Sequence, residues 1–191
     1  MKKTKVLVLL GSPRKKGNSA LLAEKIAKAA ESEGAQIKTV SLHDMNIRPC
    51  TSCFKCQKPG SKSCSIRDDM DMLYPALIEA DAWVIATPIY WFTMSAQTKI
   101  WMDRCFALPA YGVDPFAGKK IAVAMSYGGE DPYDSGCINA IRTFQDAYAF
   151  TRSKLVGFVY GSAMNAGEMK KNEKALKAAL ELGKKLVASE D

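Results

Sequence analysis

Short apolar segments alternate along the chain with longer amphipathic ones. The apolar segments predict five strands, which cover residues 5–10, 36–42, 82–87, 119–126 and 155–160. Residues 6–10 and 83–86 are continuously apolar rather than alternating. Strands with helices on both faces have this pattern, because neither face meets water. The segments therefore predict a buried parallel sheet.

Amphipathic segments with a helical period separate the predicted strands. The first covers residues 18–33 and ends before Gly34, and glycine commonly follows the last residue of a helix. Four further predicted helices cover residues 69–79, 95–108, 135–150 and 168–188. Five strands alternating with five helices predict one α/β domain over residues 1–191. We expect a flavodoxin-like, doubly wound parallel sheet of order 2-1-3-4-5 between two helical layers, a three-layer α/β/α fold.

A sheet of this order binds ligands beyond the carboxyl ends of its strands, where the first and third strands lie side by side. Residues 11–18 and 88–94 leave those two strands and are the most chemically unusual loops of the chain. The first combines glycine, hydroxyl and cationic residues, and the second begins with proline and is dense in aromatic residues. We therefore expect the binding site between them.

Residues 11–19, with the sequence GSPRKKGNS, join a predicted strand to the start of a predicted helix. Backbone N–H groups and the helix dipole attract phosphate at such a junction. Side-chain donors to phosphate are available from Ser12, Arg14, Asn18 and Ser19. The Walker pattern does not fit, because Asn18 stands in the place of its lysine, and G-x-G-x-x-G is absent. The alternative is that Asn18 or Ser19 only caps the helix.

Four of the six cysteines lie within fifteen residues, in a cysteine-rich loop over residues 43–68. They follow the spacing C-x2-C-x2-C-x7-C and are Cys50, Cys53, Cys56 and Cys64. A compact run of three thiolates with a fourth further on is typical of a [4Fe-4S] cluster, whereas zinc sites more often use two separated pairs. Zinc or another metal, and free or redox-active thiols, are the alternatives.

The net charge of +7 permits acidic partners, but no basic run with interleaved aromatic residues indicates a nucleic-acid surface. No segment approaches the roughly 20 apolar residues of a membrane-spanning helix. The apolar residues 6–10 are too few for a secretory signal, which needs about 7–15. We therefore expect a cytoplasmic protein without nucleic-acid or membrane partners. No triad or paired carboxylates stand out, so no catalytic side chain is assigned.

Three motifs in order, residues 11–19, 88–91 and 99–104, together resemble the NADPH-dependent FMN reductase family. The cysteine spacing resembles its iron–sulfur flavoprotein branch. The resemblance implies that Ser12, Arg14, Asn18 and Ser19 meet the FMN phosphate and that the first helical turn, through Ala20, closes the site. It implies two groups of residues along the flavin, which are Pro88, Ile89, Tyr90, Trp91 and Phe92, and then Ser126, Tyr127, Gly128 and Gly129.

The resemblance implies an FMN-dependent oxidoreductase that takes electrons from NAD(P)H or ferredoxin. The acceptor would be a small molecule such as a quinone, a nitro or azo compound, a flavin or a metal complex. Flavin carries the chemistry itself, so no dedicated acid or base is required. Aromatic residues beside the flavin predict a homodimer or homotetramer. The alternatives are a non-enzymatic electron-transfer flavoprotein and a redox or metal sensor built on the cysteine loop.

Overall fold

The apolar segments form one sheet in the structure, a computed structural model that describes residues 3–112 and 114–188. Its strands are β1 (Lys5–Leu10), β2 (Gln36–Ser41), β3 (Ala82–Tyr90), β4 (Thr93–Met94), β5 (Lys120–Tyr127) and β6 (Lys154–Ser162). The long strands are parallel in the order β2-β1-β3-β5-β6, and β4 pairs antiparallel with the end of β3. The predicted doubly wound, flavodoxin-like order of five parallel strands is confirmed.

Helices cover both faces of the sheet. They are α1 (Asn18–Ser32), α2 (Met70–Glu79), α3 (Ala96–Arg104), α4 (Cys137–Phe150) and α5 (Glu173–Val187). Short 3-10 segments lie at Leu42–Asp44, Lys55–Gln57, Cys105–Tyr111 and Glu168–Lys171. Helices α1 and α5 pack on one face, and α2, α3 and α4 pack on the other. Within the described residues, every helix is too short or too polar to cross a membrane.

Neighbouring residues of β1 belong to opposite layers of the core. Val6 and Val8 pack with α1 and α5, whereas Leu7 and Leu9 pack in the layer of α2 and α3. All four side chains are buried. Successive side chains of a strand point to opposite faces, so a strand covered on both faces is apolar at every position. This is the physical reason for the continuous apolar runs.

Two predicted helices end or begin differently in the structure. The helix predicted over residues 95–108 is α-helical only to Arg104 and continues as a 3-10 segment to Tyr111. The helix predicted over residues 168–188 is divided at Asn172, whose side-chain oxygen accepts from the N–H of Ala175 at 3.0 Å and caps α5. The β4 strand was not predicted, because its two residues carry no pattern of their own.

Lys119 is buried just before β5 and is only 5% exposed. Its ammonium group donates a hydrogen bond to the carbonyl of Ala80 and lies 5.1 Å from the centre of the Trp83 ring. Burial lowers the pKa of Lys119 from 10.5 to about 8, and Asp81 opposes part of this shift. The unfolded chain therefore binds more protons than the folded chain between pH 8 and 10.5, so this group makes the protein more stable as pH rises through that window.

Lys119→Met removes this titrating group. From pH 8 to 10.5, we expect the free energy of unfolding of wild type to rise by about 1–3 kcal/mol relative to that of Lys119→Met. Urea unfolding of both proteins across the window measures it. Lys120→Met, at the neighbouring and less buried position, is the control and should show a much smaller change. A pH-independent difference for Lys119→Met would contradict the expectation.

Candidate functional site

Buried hydroxyl groups of β3 and α3 anchor the loop between β1 and α1. The N–H of Gly11 donates to the carbonyl of Ala86 at 2.7 Å, and the Ser95 hydroxyl donates to the carbonyl of Gly11 at 2.6 Å. The Ser95 and Thr98 hydroxyl oxygens are 3.0 Å apart, and the N–H of Ser95 donates to the Thr87 hydroxyl at 3.0 Å. The sequence did not indicate Ser95 and Thr98. Gly11, the partner of Ser95, lies more than eighty residues away, and Ser95 followed by Thr98 looks like an ordinary helix start.

The same loop requires glycine at two positions. A Cβ atom on Gly11 would lie 1.9 Å from the Thr98 hydroxyl oxygen and 3.1 Å from the carbonyl oxygen of Ala86. A Cβ atom on Gly17 would lie 2.9 Å from the carbonyl oxygen of Arg14, which accepts a hydrogen bond from the N–H of Gly17 at 2.8 Å. Glycine is therefore required at both positions because neighbouring atoms leave no room for a side chain.

The first turn of α1 begins at the loop after β1 and has uncapped N–H groups. The N–H groups of Asn18, Ser19 and Ala20 have no partner within the helix, and the preceding Gly17 has no side chain to cap them. The hydroxyls of Ser12 and Ser19 are buried nearby, and Arg14 is exposed at the rim. Free N–H groups at the positive end of a helix dipole, together with hydroxyl and guanidinium donors, are suited to phosphate.

The Asn18 side chain is committed to the protein rather than to a ligand. Its Nδ2 donates to the carbonyls of Ala163 at 3.2 Å and Asn165 at 2.8 Å. Its Oδ1 accepts from the N–H groups of Gly167 at 3.0 Å and Met169 at 3.2 Å. Asn18 therefore shapes the loop after β6, and only its backbone N–H remains for the predicted phosphate contact.

These loops enclose a cleft of about 320 Å³ at the carboxyl ends of β1, β3 and β5. The predicted residues that line it are Ser12, Arg14, Asn18, Ser19, Pro88, Ile89, Tyr90, Ser126, Tyr127 and Gly128. Four lining residues were not assigned to the site from the sequence, and these are Gly17, Ala163, Met164 and Ala166. The last three follow β6, whose carboxyl end meets the same edge of the sheet, so the topology rule could have found them.

Four residues assigned to the flavin site do not line the cleft, and these are Ala20, Trp91, Phe92 and Gly129. Ala20 is buried in the first turn of α1. Trp91 and Phe92 form the tip of the β3–β4 hairpin with φ of 48° and 67°, and Trp91 is 92% exposed. Left-handed backbone at both central positions of a turn favours asparagine and glycine, so two aromatic residues there are strained. Trp91 therefore projects away from the cleft of its own chain.

The four cysteines of the loop line one small cavity of about 60 Å³, and Arg104 lines it with them. Each sulfur has a hydrogen-bonding partner. The N–H of Ser52 donates to Cys50 at 3.5 Å, the Gln57 amide donates to Cys56 at 3.3 Å, and the N–H of Ile66 donates to Cys64 at 3.5 Å. The Cys53 sulfur and the Ser65 hydroxyl are 3.2 Å apart, and this hydrogen bond, with those from the Lys55 backbone and the Thr51 side chain, lowers the pKa of Cys53 to about 7.

The ligands of a single metal ion converge on one point, whereas the ligands of a metal cluster surround it. Within residues 3–112 and 114–188, no three His, Cys, Asp or Glu side chains are arranged to hold a single metal ion. A zinc site needs four ligands, with each sulfur about 2.3 Å from the same ion. A cubane takes one thiolate at each of its irons, so its ligands surround the cluster. The four cysteines therefore share one cavity without forming a ready-made single-metal site among the described residues.

A cavity of about 840 Å³, larger than this cleft, lies elsewhere, between α3, the end of α4 and the start of the cysteine loop. It is mostly apolar, and Phe106, Phe116 and Phe150 are among its lining residues. Of the predicted site residues, only Cys50 lines it, and none of residues 11–19, which we name the phosphate loop after their predicted ligand, does so. The smaller cleft combines hydroxyl, guanidinium and helix N-terminal N–H donors, which are the groups that suit a phosphate.

The strand order and the helices on both faces define a flavodoxin-like, doubly wound α/β protein. A family model described as NADPH-dependent FMN reductase matches residues 4–142, and the chain belongs to that family. An iron-sulfur flavoprotein of Archaeoglobus fulgidus is 40% identical over 125 residues, which are 65% of this chain and 62% of that protein. The chain thus spans less than two thirds of that relative.

A second iron-sulfur flavoprotein of Archaeoglobus fulgidus is 32% identical over 185 residues, 95% of this chain and 78% of the relative. Among solved structures, the NAD(P)H:quinone oxidoreductase from Methanothermobacter marburgensis superimposes with a TM-score of 0.70 at 20% identity, covering 96% of this chain and 98% of that one. The family expected from the sequence motifs is confirmed, and the structural neighbour supports the fold.

Proposed function

We propose that this chain is an FMN-dependent NAD(P)H oxidoreductase whose FMN lies in the cleft between the loops after β1, β3 and β5. One observation carries the proposal. A helix N-terminus with uncapped N–H groups and the loop that begins at Pro88 meet in a single cleft at the switch point of the sheet. When bound there, FMN supplies hydride and single-electron transfer.

The residues of the cleft divide into two groups by chemistry. The hydroxyls of Ser12 and Ser19, the Arg14 guanidinium and the N–H groups of the first turn of α1 would hold the phosphate. Lining residues from β3 and β5 would orient the ring and exclude water from it, and these are Pro88, Ile89, Tyr90, Ser126, Tyr127 and Gly128. Asn18 contributes by fixing the loop after β6 that forms the remaining wall.

We propose further that Cys50, Cys53, Cys56 and Cys64 hold a [4Fe-4S] cluster. Their shared cavity, the hydrogen-bonding partner at each sulfur and the likeness to two iron-sulfur flavoproteins support this assignment. A cluster beside a flavin allows single-electron donors such as ferredoxin in addition to NAD(P)H. The net charge of +7 favours encounter with an acidic donor.

The acceptor in this proposal is a small molecule, such as a quinone, a nitro or azo compound, a free flavin or a metal complex. Such acceptors need a carrier of electrons more than a proton-transferring side chain. We place the protein in the cytoplasm, where cysteines stay reduced. Exposed aromatic residues at the end of β3 and the tip of the β3–β4 hairpin, which are Tyr90, Trp91 and Phe92, support a homodimer or homotetramer.

Anaerobic purification followed by stopped-flow mixing with NADPH, NADH and reduced ferredoxin tests the function. We expect a bound flavin that NAD(P)H reduces and a small acceptor reoxidises. Arg14→Gln should weaken FMN binding about 10- to 100-fold, since a charge-assisted contact to the phosphate is lost. Lys16→Gln is the matched control, because Lys16 is exposed and does not line the cleft.

Two results would contradict the proposal. Failure to bind FMN on reconstitution would remove the flavin assignment. Reduction by ferredoxin alone, without turnover on NAD(P)H, would favour a non-enzymatic electron carrier.

A further inference from the structure

Arg104, the last residue of α3, is buried beneath the cysteine loop. Its side chain is 0% exposed, and it lines the small cavity together with the four cysteines. Its Nη2 donates to the Cys64 sulfur at 3.6 Å. A guanidinium group therefore contacts one of the four sulfurs directly.

Asp68 fixes the plane of this guanidinium. Nη1 donates to Asp68 Oδ2 at 2.6 Å and to the carbonyl of Arg48 at 2.8 Å, and Nη2 donates to Asp68 Oδ1 at 3.2 Å. The Asp68 side chain is 1% exposed and also accepts from the N–H groups of Arg48 at 2.9 Å and Met70 at 3.1 Å. A two-point contact of this kind holds the remaining N–H groups in set directions.

One donor of Arg104 has no acceptor. Its Nε is fully buried, and no hydrogen-bonding partner lies within reach among the described residues. Buried N–H groups are nearly always paired, so an orphan beside a cavity lined by four thiols indicates an acceptor that occupies the cavity. Sulfide and thiolate sulfur of a cluster are acceptors of this kind.

We propose that Arg104 donates N–H···S hydrogen bonds to the sulfur of the cluster site and thereby raises the reduction potential of the cluster. The inference rests on the proposed [4Fe-4S] assignment. Reduction adds one electron to the cluster and no proton, so the cluster becomes more negative by one charge. A fixed cation with N–H donors aimed at sulfur stabilises that reduced form more than the oxidised form. Arg104 is a positioning residue and not a cluster ligand.

Arg104→Lys tests the proposal, because lysine keeps the charge beside Asp68 but lacks the fork and the Nε donor. A double variant, Arg104→Met with Asp68→Leu, removes the ion pair without leaving a lone buried charge. The midpoint potential of the cluster is measured by anaerobic spectroelectrochemical titration of the holoprotein, with iron and sulfide assays. The FMN potential of the same sample is the internal reference, since Arg104 does not line the FMN cleft.

We expect the equilibrium constant for one-electron reduction of the cluster to fall about tenfold in both variants, which is 59 mV for one electron. The FMN potential should stay at its wild-type value. Unshifted cluster potentials with full iron content would overturn the inference and leave a purely structural ion pair. Loss of iron from both variants, with FMN retained, would also overturn the inference. Arg104 would then be needed to keep the cluster bound rather than to set its reduction potential. Wild-type protein without iron and sulfide would instead remove the cluster assignment itself.

Discussion

Gly11→Ala lowers FMN affinity at least about 100-fold and destabilises the protein by about 1–3 kcal/mol, because it overpacks a buried contact. The added Cβ atom would lie 1.9 Å from the Thr98 hydroxyl oxygen and 3.1 Å from both the Ser95 hydroxyl oxygen and the Ala86 carbonyl oxygen. These atoms belong to the buried network that anchors the phosphate loop, so they have no free space to move into. The loop must shift, and its N–H donors then no longer converge on the phosphate.

FMN content after purification, fluorescence titration with FMN and urea unfolding of the FMN-free protein measure the two effects separately. Thr98→Ala is the matched control, since it removes the clashing oxygen while Gly11 stays in place. The double variant Gly11→Ala with Thr98→Ala should recover part of the affinity, because its next contact is at 3.1 Å. Wild-type affinity in Gly11→Ala alone would show that the loop does not carry the phosphate.

We expect Cys56→Ser to remove the proposed iron–sulfur centre and to leave the flavin in place. A [4Fe-4S] cluster depends on its four thiolates, and Cys56 supplies one of those that line the shared cavity. Cys56 is half-buried, so serine at this position does not disturb the core. Iron and sulfide should fall about tenfold or more from about four of each per chain. FMN content should match wild type, because Cys56 does not line the cleft.

Iron and sulfide assays with the visible absorbance spectrum measure this outcome after anaerobic purification. Cys137→Ser is the control, since Cys137 is a buried thiol at the start of α4 and lies outside the cysteine loop. It should retain both centres. A Cys56→Ser protein with its iron intact would refute the ligand set, and zinc in place of iron in the wild type would refute the cluster.

The hydrophobic pattern predicted most of the fold because burial on both faces of a sheet leaves a local signature. Residues 6–10 are apolar at consecutive positions for the reason that Val8 and Leu9 meet different helical layers. The helix divided at Asn172 left no such signature. Its boundary depends on one side-chain cap, and the amphipathic period continues across it.

The candidate site was predictable only in part. Ser12 and Tyr90 lie far apart in sequence, yet the order of strands brings their loops to one cleft, and that order follows from the alternation of strands and helices. The role of the Asn18 side chain was not predictable. Its four hydrogen bonds run to residues about 150 positions away, and a short polar residue at a helix start fits a cap, a phosphate contact or a tether equally well.

Local sequence patterns were enough to predict the doubly wound sheet, the family and the loops that carry glycine, aromatic residues and cysteine. Each of these depends on a pattern within one segment or on the order of segments. Three sets of contacts are visible only in the folded chain: Ser95 and Thr98 anchor Gly11, Asn18 holds the loop after β6, and Arg104 contacts Cys64. These contacts join distant segments in the buried interior. A polar side chain there is set by the partner that satisfies it, and no local pattern names that partner.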